Sequence, residues 1–536
     1  MRTQVLIIGG GATGTGLARD LALRGIHCTL VEKSRLNAGA SGRNHGLLHS
    51  GARYVETDPV AAKQCHEENI LLKKIAPQCI EDTKGLFVAV EGDDENYVAD
   101  FPHLCAKCNI PAEPVSIEDA MQLEPALSPR LIAAYKVDDA SVEPYRLCVE
   151  NISEAQSLGS QLLISTRVTA FTKRANRIVT TTLTNTMTGK VRKVEADFVV
   201  NAGGAWTGEI AELAGIPIKM LYSKGSLMVT GHRFTNHVVN RLRKPGDGDI
   251  VVPGGTVSIL GTTSIRVQSP EVLYPTIEEM DHLVEEGAAM LPSLQYARFI
   301  RAYAGIRPLL ELESPMDDRS VSRSLALMDH SKNGVENFLS VPGGKLTTYR
   351  LMAEKAADFV CERLGVHEPC RTKFDPLPPT SAGELSEPGL GPKVWVKKND
   401  PGDRVICECE ILPESLISTI INSLKVEQER PSLLNIAEKS RVGKGACQGT
   451  FCGAGITAYL YNRGDIHGKE GLDDLRAFLQ ERWKGERPVL WRNQMIQAEL
   501  RQRDGRDGGR CFCGQPGYFY RAGRGGRRDC FFKRSV

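Results

Sequence analysis

Residues 5–32 leave room for few local architectures. An apolar run with strand composition, Val5-Leu6-Ile7-Ile8, meets Gly9-x-Gly11-x-x-Gly14; a helical pattern spans 13–24, and a second strand pattern, 27–32, ends on Glu32. A lone GxGxxG carries little information, but here it follows a strand, opens a helix and precedes an acidic strand end, which is the dinucleotide-binding context. Gly9 permits the tight turn, Gly11 lets backbone approach a pyrophosphate, and Gly14 lets helix and strand pack closely. The helix N-terminus, with Ala12 and Thr13, then faces the anion. Glu32 accepts from a ribose hydroxyl, and its charge disfavours a 2′-phosphate.

From 1 to 365, β-rich runs alternate with helical patterns, predicting α/β layers. Strands are predicted at 85–90, 131–137, 177–184 and 198–201, and helices at 277–290 and 346–364. Seven prolines in 366–404 suggest a linker. A smaller, helix-rich segment with four cysteines covers 405–497, and 498–536 forms a tail. The 67 basic and 65 acidic side chains leave a charge of +2, giving no global attraction to nucleic acid. The uncharged stretch 250–265 is rich in Gly, Thr and Pro and does not read as a membrane span. No secretory pattern precedes the glycine motif, so the 15 cysteines are expected in a reducing cytoplasm.

Two features favour FAD over NAD: the N-terminal position of the motif, and Phe198-Val-Val-Asn-Ala-Gly-Gly-Ala-Trp206, a strand and small-residue turn of the kind found in FAD oxidoreductases. Residues 1–364 resemble the FAD-dependent glycerol-3-phosphate dehydrogenases, within the glycine oxidase-like flavoproteins. The matching stretches are Gly9–Gly14, Arg43-Asn-His-Gly-Leu-Leu-His49-Ser-Gly-Ala-Arg53-Tyr54, Gly305-Ile-Arg307-Pro308-Leu309 and Gly343-Gly344-Lys345-Leu346-Thr347-Thr348-Tyr349-Arg350. With its cysteine segment the chain is similar to the anaerobic, multi-subunit branch of that family. The resemblance implies a Rossmann-like FAD-binding domain of glycine oxidase/glutathione reductase type, an interleaved β-rich substrate domain, and a small α-rich iron–sulfur domain. It also implies cofactor contacts at Ser41, Asn44, Gly46, Val168, Ala202, Gly203, Trp206, Gly343, Gly344 and Leu346.

A phosphorylated triol needs cations for its phosphate and donors for its hydroxyls. Arginine suits this because its planar fork binds phosphate bidentately. Arg53, Arg307 and Arg323 lie in family-like stretches and correspond by resemblance to substrate-site positions. Lys345 follows two glycines and precedes a helix, so ammonium and backbone amides converge there. Tyr54 and Thr347 are further hydroxyl donors. His49 has the pKa range of a general base; it also fits a role hydrogen-bonding flavin or backbone. Arg307 is the alternative device, lowering the alcohol's pKa electrostatically.

Cys407-x-Cys409 and Cys447-x4-Cys452 form a C-x-C…C-x4-C set. Four thiolates suit zinc or an iron–sulfur cluster, and the spacing resembles the bacterioferritin-associated ferredoxin-like domain, which implies [2Fe–2S]. Cys28, Cys148 and Cys361 read as core thiols, and the Cys105-x-x-Cys108 pair lacks a second pair. The tail carries nine arginines and eight glycines in 500–536 and no core pattern, predicting disorder or a non-native end.

The resulting expectation is an enzyme oxidising sn-glycerol 3-phosphate to dihydroxyacetone phosphate and sending electrons toward a quinone. By resemblance it works with two partners, a second catalytic subunit plus an iron–sulfur subunit that holds it peripherally at the inner membrane. Two other readings remain open at this level: a flavin dehydrogenase or oxidase for another hydroxy acid or amine, and a non-catalytic redox carrier.

Overall fold

A computed structural model describes residues 1–310, 326–426 and 429–490. The described chain forms two compact units: Met1–Ala297 with Tyr303–Leu390, and Arg298–Ala302 with the described residues from Gly391 onward.

The first unit is organised around strand β1 (Arg2–Ile8), helix α1 (Ala12–Leu23) and strand β2 (Cys28–Val31). β1 pairs in parallel with β2 on one side and with strand Val191–Asn201 on the other. Strand Gln161–Leu163 extends the sheet beyond β2, and Phe338–Ser340 pairs in parallel with the end of Val191–Asn201. A strand covered on both faces must be apolar throughout, and Val5, Leu6 and Ile7 are fully buried. Their alternation sorts them into two cores. Val5 and Ile7 pack with Leu17 and Leu21 of α1 and with Met352, Ala353 and Val360 of helix Tyr349–Leu364. Leu6 and Ile8 face Val168, Ile178, Leu183 and Phe338.

Strand 198–201 of the sequence analysis proves to be the end of a longer one. Its first half, from Val191, pairs antiparallel with Arg177–Asn185, so one strand serves both the parallel sheet and an antiparallel meander. Polar residues there hid it: Arg192, Lys193 and Glu195 are exposed while Val194 is buried. The helix expected over 346–364 starts later, at Tyr349. Gly343 and Gly344 both adopt positive φ and hold the preceding residues in a loop.

The second sheet of this unit has nine strands and includes Gly85–Val90, Leu131–Val137, Met220–Thr230 and Val257–Gly261; strand Phe299–Leu310 pairs with Met220–Thr230. Helix Ile277–Met290 opens on a capping box between Thr276 and Glu279. In the proline-rich stretch, helices Ser381–Glu384 and Leu390–Lys398 form, and Leu377 is buried. The second unit holds a hairpin, Val405–Cys407 with Leu412–Pro413, and helices Glu414–Val426, Leu433–Glu438, Thr450–Asn462 and Glu470–Trp483. Its core includes Ile417, Ile420, Ile456, Leu460 and Phe478. Among the described residues, no helix is long and apolar enough to cross a membrane.

His330 makes the fold pH-dependent. It is buried at the end of the parallel sheet, with Nε2 2.9 Å from Ser340 Oγ. Burial lowers its pKa, outweighing the Asn333 hydrogen bond and the Asp329 charge. The unfolded chain therefore binds this proton more readily than the folded one. The stability this contributes is complete above about pH 6.5 and is lost as pH falls through the folded-state pKa. The melting temperature should fall between about pH 7.5 and about pH 5.5, and less steeply in His330→Gln. Parallel slopes for the two proteins would remove His330 as a cause.

Candidate active site

A cavity of about 850 Å³ opens beside the glycine turn. Gly9, Gly11, Ala12, Thr13, Glu32, Ser41, Asn44, Val168, Ala202, Gly203 and Trp206 line it, together with Gly343, Gly344, Lys345 and Leu346. The local geometry of the turn follows its sequence. Gly9 has φ +117°, a conformation favouring glycine, and a side chain there would run into the Ala202 carbonyl. Gly14 lies behind the cavity, where a Cβ would overlap the Gly9 carbonyl oxygen. Glu32 is braced: Gly10 N–H donates to Oε2 and Ser34 N–H to Oε1, each at 2.8 Å. A carboxylate has about four acceptor sites, so capacity remains for ribose hydroxyls. Ala12 N–H donates to Ser41 Oγ (3.0 Å), tying the 41–46 segment to the start of α1.

Asn44 organises that segment. Its amide donates to the carbonyls of Ala40 and Ser41 and accepts from Gly46 N–H. Gly46 lies off the cavity wall, where a side chain would strike the Val142 carbonyl. Trp206 Nε1 donates to Glu271 (2.8 Å), and Lys33 Nζ sits 3.5 Å from its ring centroid.

His49, Arg53, Tyr54 and Arg307 line the same cavity. The Tyr54 hydroxyl is 3.2 Å from His49 Nε2, and Lys345 Nζ is 4.6 Å from the Tyr54 ring centroid. Cation, phenol and imidazole thus form one contiguous cluster. Buried Thr347 lies behind it and accepts from His49 N–H (3.0 Å), so it positions rather than lines. Asp139 completes the support: its carboxylate accepts from Ser50 N–H and Asn240, while complete burial raises its pKa.

Of the three arginines expected at the substrate site, the two that are described, Arg53 and Arg307, are held differently. Arg53 is buried, with Nη2 3.1 Å from Asp249 Oδ2, so its charge is already paired. Its Nη1 is buried with no hydrogen-bond acceptor. Arg307, on strand Phe299–Leu310, donates to the Thr262 hydroxyl, to the Thr263 carbonyl (3.0 Å) and to Ser223 Oγ (3.4 Å). A side chain at Gly225 would collide with its guanidinium. Arg323 lies outside the described residues. Sequence reasoning missed Asp249, Ser223, Thr262 and Thr263. No motif marks them, because they come from separate strands and loops of the second sheet.

The four cysteines of the second unit are joined in one chain of thiol contacts. Cys407 ends its hairpin strand, Cys409 lies in the following turn, and Cys447 and Cys452 flank the start of helix Thr450–Asn462. Thiol contacts join Cys409 to Cys447, Cys447 to Cys452 and Cys452 to Cys407. Cys447 is held low by the thiols of Cys409 and Cys452 and by backbone N–H groups including those of Phe451 and Gly449. Cys452 is pushed up by Cys407 and Cys447 and by burial. Four adjacent thiolates repel one another unless a cation lies among them. Among the described residues, no group of three or more His, Cys, Asp or Glu is arranged to hold a metal ion.

A family model for FAD dependent oxidoreductases (DAO) matches residues 4–350. The chain is 39% identical over 519 residues to a subunit of the anaerobic glycerol-3-phosphate dehydrogenase of Escherichia coli (strain K12), covering 93% of this chain and 95% of that protein. This chain belongs to the family of that anaerobic glycerol-3-phosphate dehydrogenase subunit. The corresponding protein of Haemophilus influenzae is also 39% identical, over 522 residues, 93% of this chain and 92% of that protein. The fold is similar to glycerol-3-phosphate dehydrogenase from Bacillus halodurans complexed with FAD: TM-score 0.64, 21% identity, 92% of this chain and 97% of that one. It is also similar to glycine oxidase from Geobacillus kaustophilus, at TM-score 0.57 and 19% identity over 71% of this chain and 99% of that one. The chain is therefore an FAD-dependent oxidoreductase.

Proposed function

We propose that the chain oxidises sn-glycerol 3-phosphate to dihydroxyacetone phosphate and that the electrons leave through an iron–sulfur centre toward a quinone. The observation carrying this reading is the single cavity that joins the glycine turn to His49, Arg53, Tyr54, Arg307 and Lys345. Bound there, FAD supplies a two-electron acceptor for the hydride on carbon 2.

The protein's part is positioning and charge. Arg53, on the cavity wall, supplies positive charge for the phosphate, and Asp249 holds the guanidinium so that little rotamer freedom is lost on binding. Arg307 places its charge at the carbon 2 oxygen and favours its deprotonation. His49 takes the hydroxyl proton, with the Tyr54 hydroxyl fixing its Nε2. Lys345, held over Tyr54, adds positive charge to the same cluster. The alcohol loses a proton to the imidazole and a hydride from carbon, which leaves the ketone. Anaerobic addition of glycerol 3-phosphate should bleach the flavin absorbance, whereas glycerol, glycine and lactate should not. Bleaching by glycine or lactate instead would replace this substrate with an amine or hydroxy acid.

The cysteine set supports a [2Fe–2S] centre, since such a cluster takes four thiolates and a chain of thiol contacts links all four cysteines. Backbone N–H groups of Gly449 and Phe451 already point at Cys447 sulfur, the kind of support an anionic cluster draws on. The centre would supply one-electron acceptance to complement a two-electron flavin. Cys452→Ser should lose iron and its visible absorption, retain FAD, and still bleach with substrate. Zinc in place of iron in anaerobically purified protein would overturn the cluster. Partner subunits, one catalytic and one anchoring an otherwise cytoplasmic chain at the inner membrane, complete the route to quinone.

A further inference from the structure

Glu279 is a buried carboxylate outside the cavity, and the proposed chemistry makes no use of it. It is the N3 residue of helix Ile277–Met290, and its Oε2 accepts from Thr276 N–H (2.8 Å) in the capping box. A cap needs nothing more, yet this carboxylate takes three further bonds from the opposite sheet. Lys224 Nζ donates to Oε2 at 2.8 Å, and Ser226 Oγ and Thr263 Oγ1 donate to Oε1 at 2.7 and 2.9 Å. All four side chains are buried. Ser226 N–H in turn donates to Thr263 Oγ1 (3.0 Å), so the Thr263 hydroxyl is fixed from both sides.

These partners bracket the Arg307 site. The Thr263 carbonyl accepts from Arg307 Nη2 (3.0 Å), and Gly225, whose missing side chain makes room for the guanidinium, lies between Lys224 and Ser226. We propose that Glu279 is a positioning residue for Arg307: one carboxylate clamps Lys224, Ser226 and Thr263 and so fixes both the acceptor and the wall that orient the guanidinium. Resting on the reading of Arg307 given above, this assigns the capping carboxylate a role in turnover as well as in folding. A buried network of this kind has few alternative arrangements, so loosening one member displaces the group it supports.

The test is a double-mutant cycle on the FAD-loaded enzyme, following glycerol 3-phosphate oxidation with an artificial acceptor. Glu279→Gln should lower kcat about tenfold with little change in KM, and should cost almost nothing further when added to Arg307→Ala. Equal losses with and without Arg307 would reduce Glu279 to a structural role and overturn the proposal. Thr263→Val and Thr263→Ser give a second route should Glu279→Gln fail to retain FAD. The valine removes the hydroxyl that Glu279 holds and should lower kcat; the serine keeps it and should not. Equal rates for valine, serine and the parent would also overturn the proposal. Full turnover by Arg307→Ala alone is a separate outcome: it removes Arg307 from the chemistry and defeats the reading beneath this one.

Discussion

Arg307→Ala should lower kcat/KM for glycerol 3-phosphate by about 10²–10³, the usual cost of deleting one pre-oriented charged donor at a reacting oxygen. The expectation rests on how the side chain is held. It lines the cavity from strand Phe299–Leu310 and is engaged by Ser223, Thr262 and Thr263, so its orientation is set before substrate arrives. Truncation leaves the Thr263 carbonyl without that donor but disturbs no strand pairing, so FAD content should be unchanged. Arg307→Lys should recover only part of the loss, since an ammonium cannot reproduce a planar fork that binds Ser223 and Thr263 while facing substrate. Steady-state kinetics with matched flavin content decides the matter. Activity within about threefold of the parent would exclude Arg307 from the reacting oxygen.

Gly14→Ala should yield protein without FAD. The added methyl overlaps the Gly9 carbonyl oxygen, and the obstacle is backbone, which cannot rotate away. Relief requires α1 to move from β1 or the turn to open. The first breaks a core where Leu17 and Leu21 pack on Val5 and Ile7. The second moves Gly9 against Ala202 and takes Gly11 out of the cavity wall. Overpacking of this kind costs about 1–3 kcal/mol in stability, but the larger effect falls on the pyrophosphate cradle, where backbone must sit close to the ligand. The ratio of flavin to protein absorbance in purified material should drop to about one-tenth or below, on the expectation that backbone approach is the binding contact. Normal flavin content would show that the turn tolerates the shift.

Local regularity decided how much was legible from the chain alone. β1, α1, β2 and the Gly85–Val90 and Leu131–Val137 strands could be read because apolar periodicity and turn residues coincide there. Residues 191–197 could not, because Arg192, Lys193 and Glu195 are exposed, Val191 is exposed as well, and only Val194 is buried. The glycine motif, Glu32 and the cations flanking Gly305 and Gly343 announce themselves, since phosphate and pyrophosphate recognition draws on few residue types. Asp249 carries no such mark, yet it pairs with Arg53 and converts a candidate free cation into a braced one.

By itself the sequence determined the strand–turn–helix around Gly9–Gly14, the α/β layering, and the presence of arginine, lysine and histidine of the kinds a small phosphorylated alcohol calls for. Each of these depends on neighbours within a few residues, or on residue chemistry alone. Tertiary structure decided which of those side chains share a cavity: it set His49 against Tyr54, Lys345 over the Tyr54 ring, and Thr347 behind them as support. It also decided that the carboxylate of a helix cap, Glu279, reaches across to the sheet that holds Arg307. Apart from His49 and Tyr54, which are five residues apart, those contacts join residues distant in the chain, and only tertiary packing brings them together.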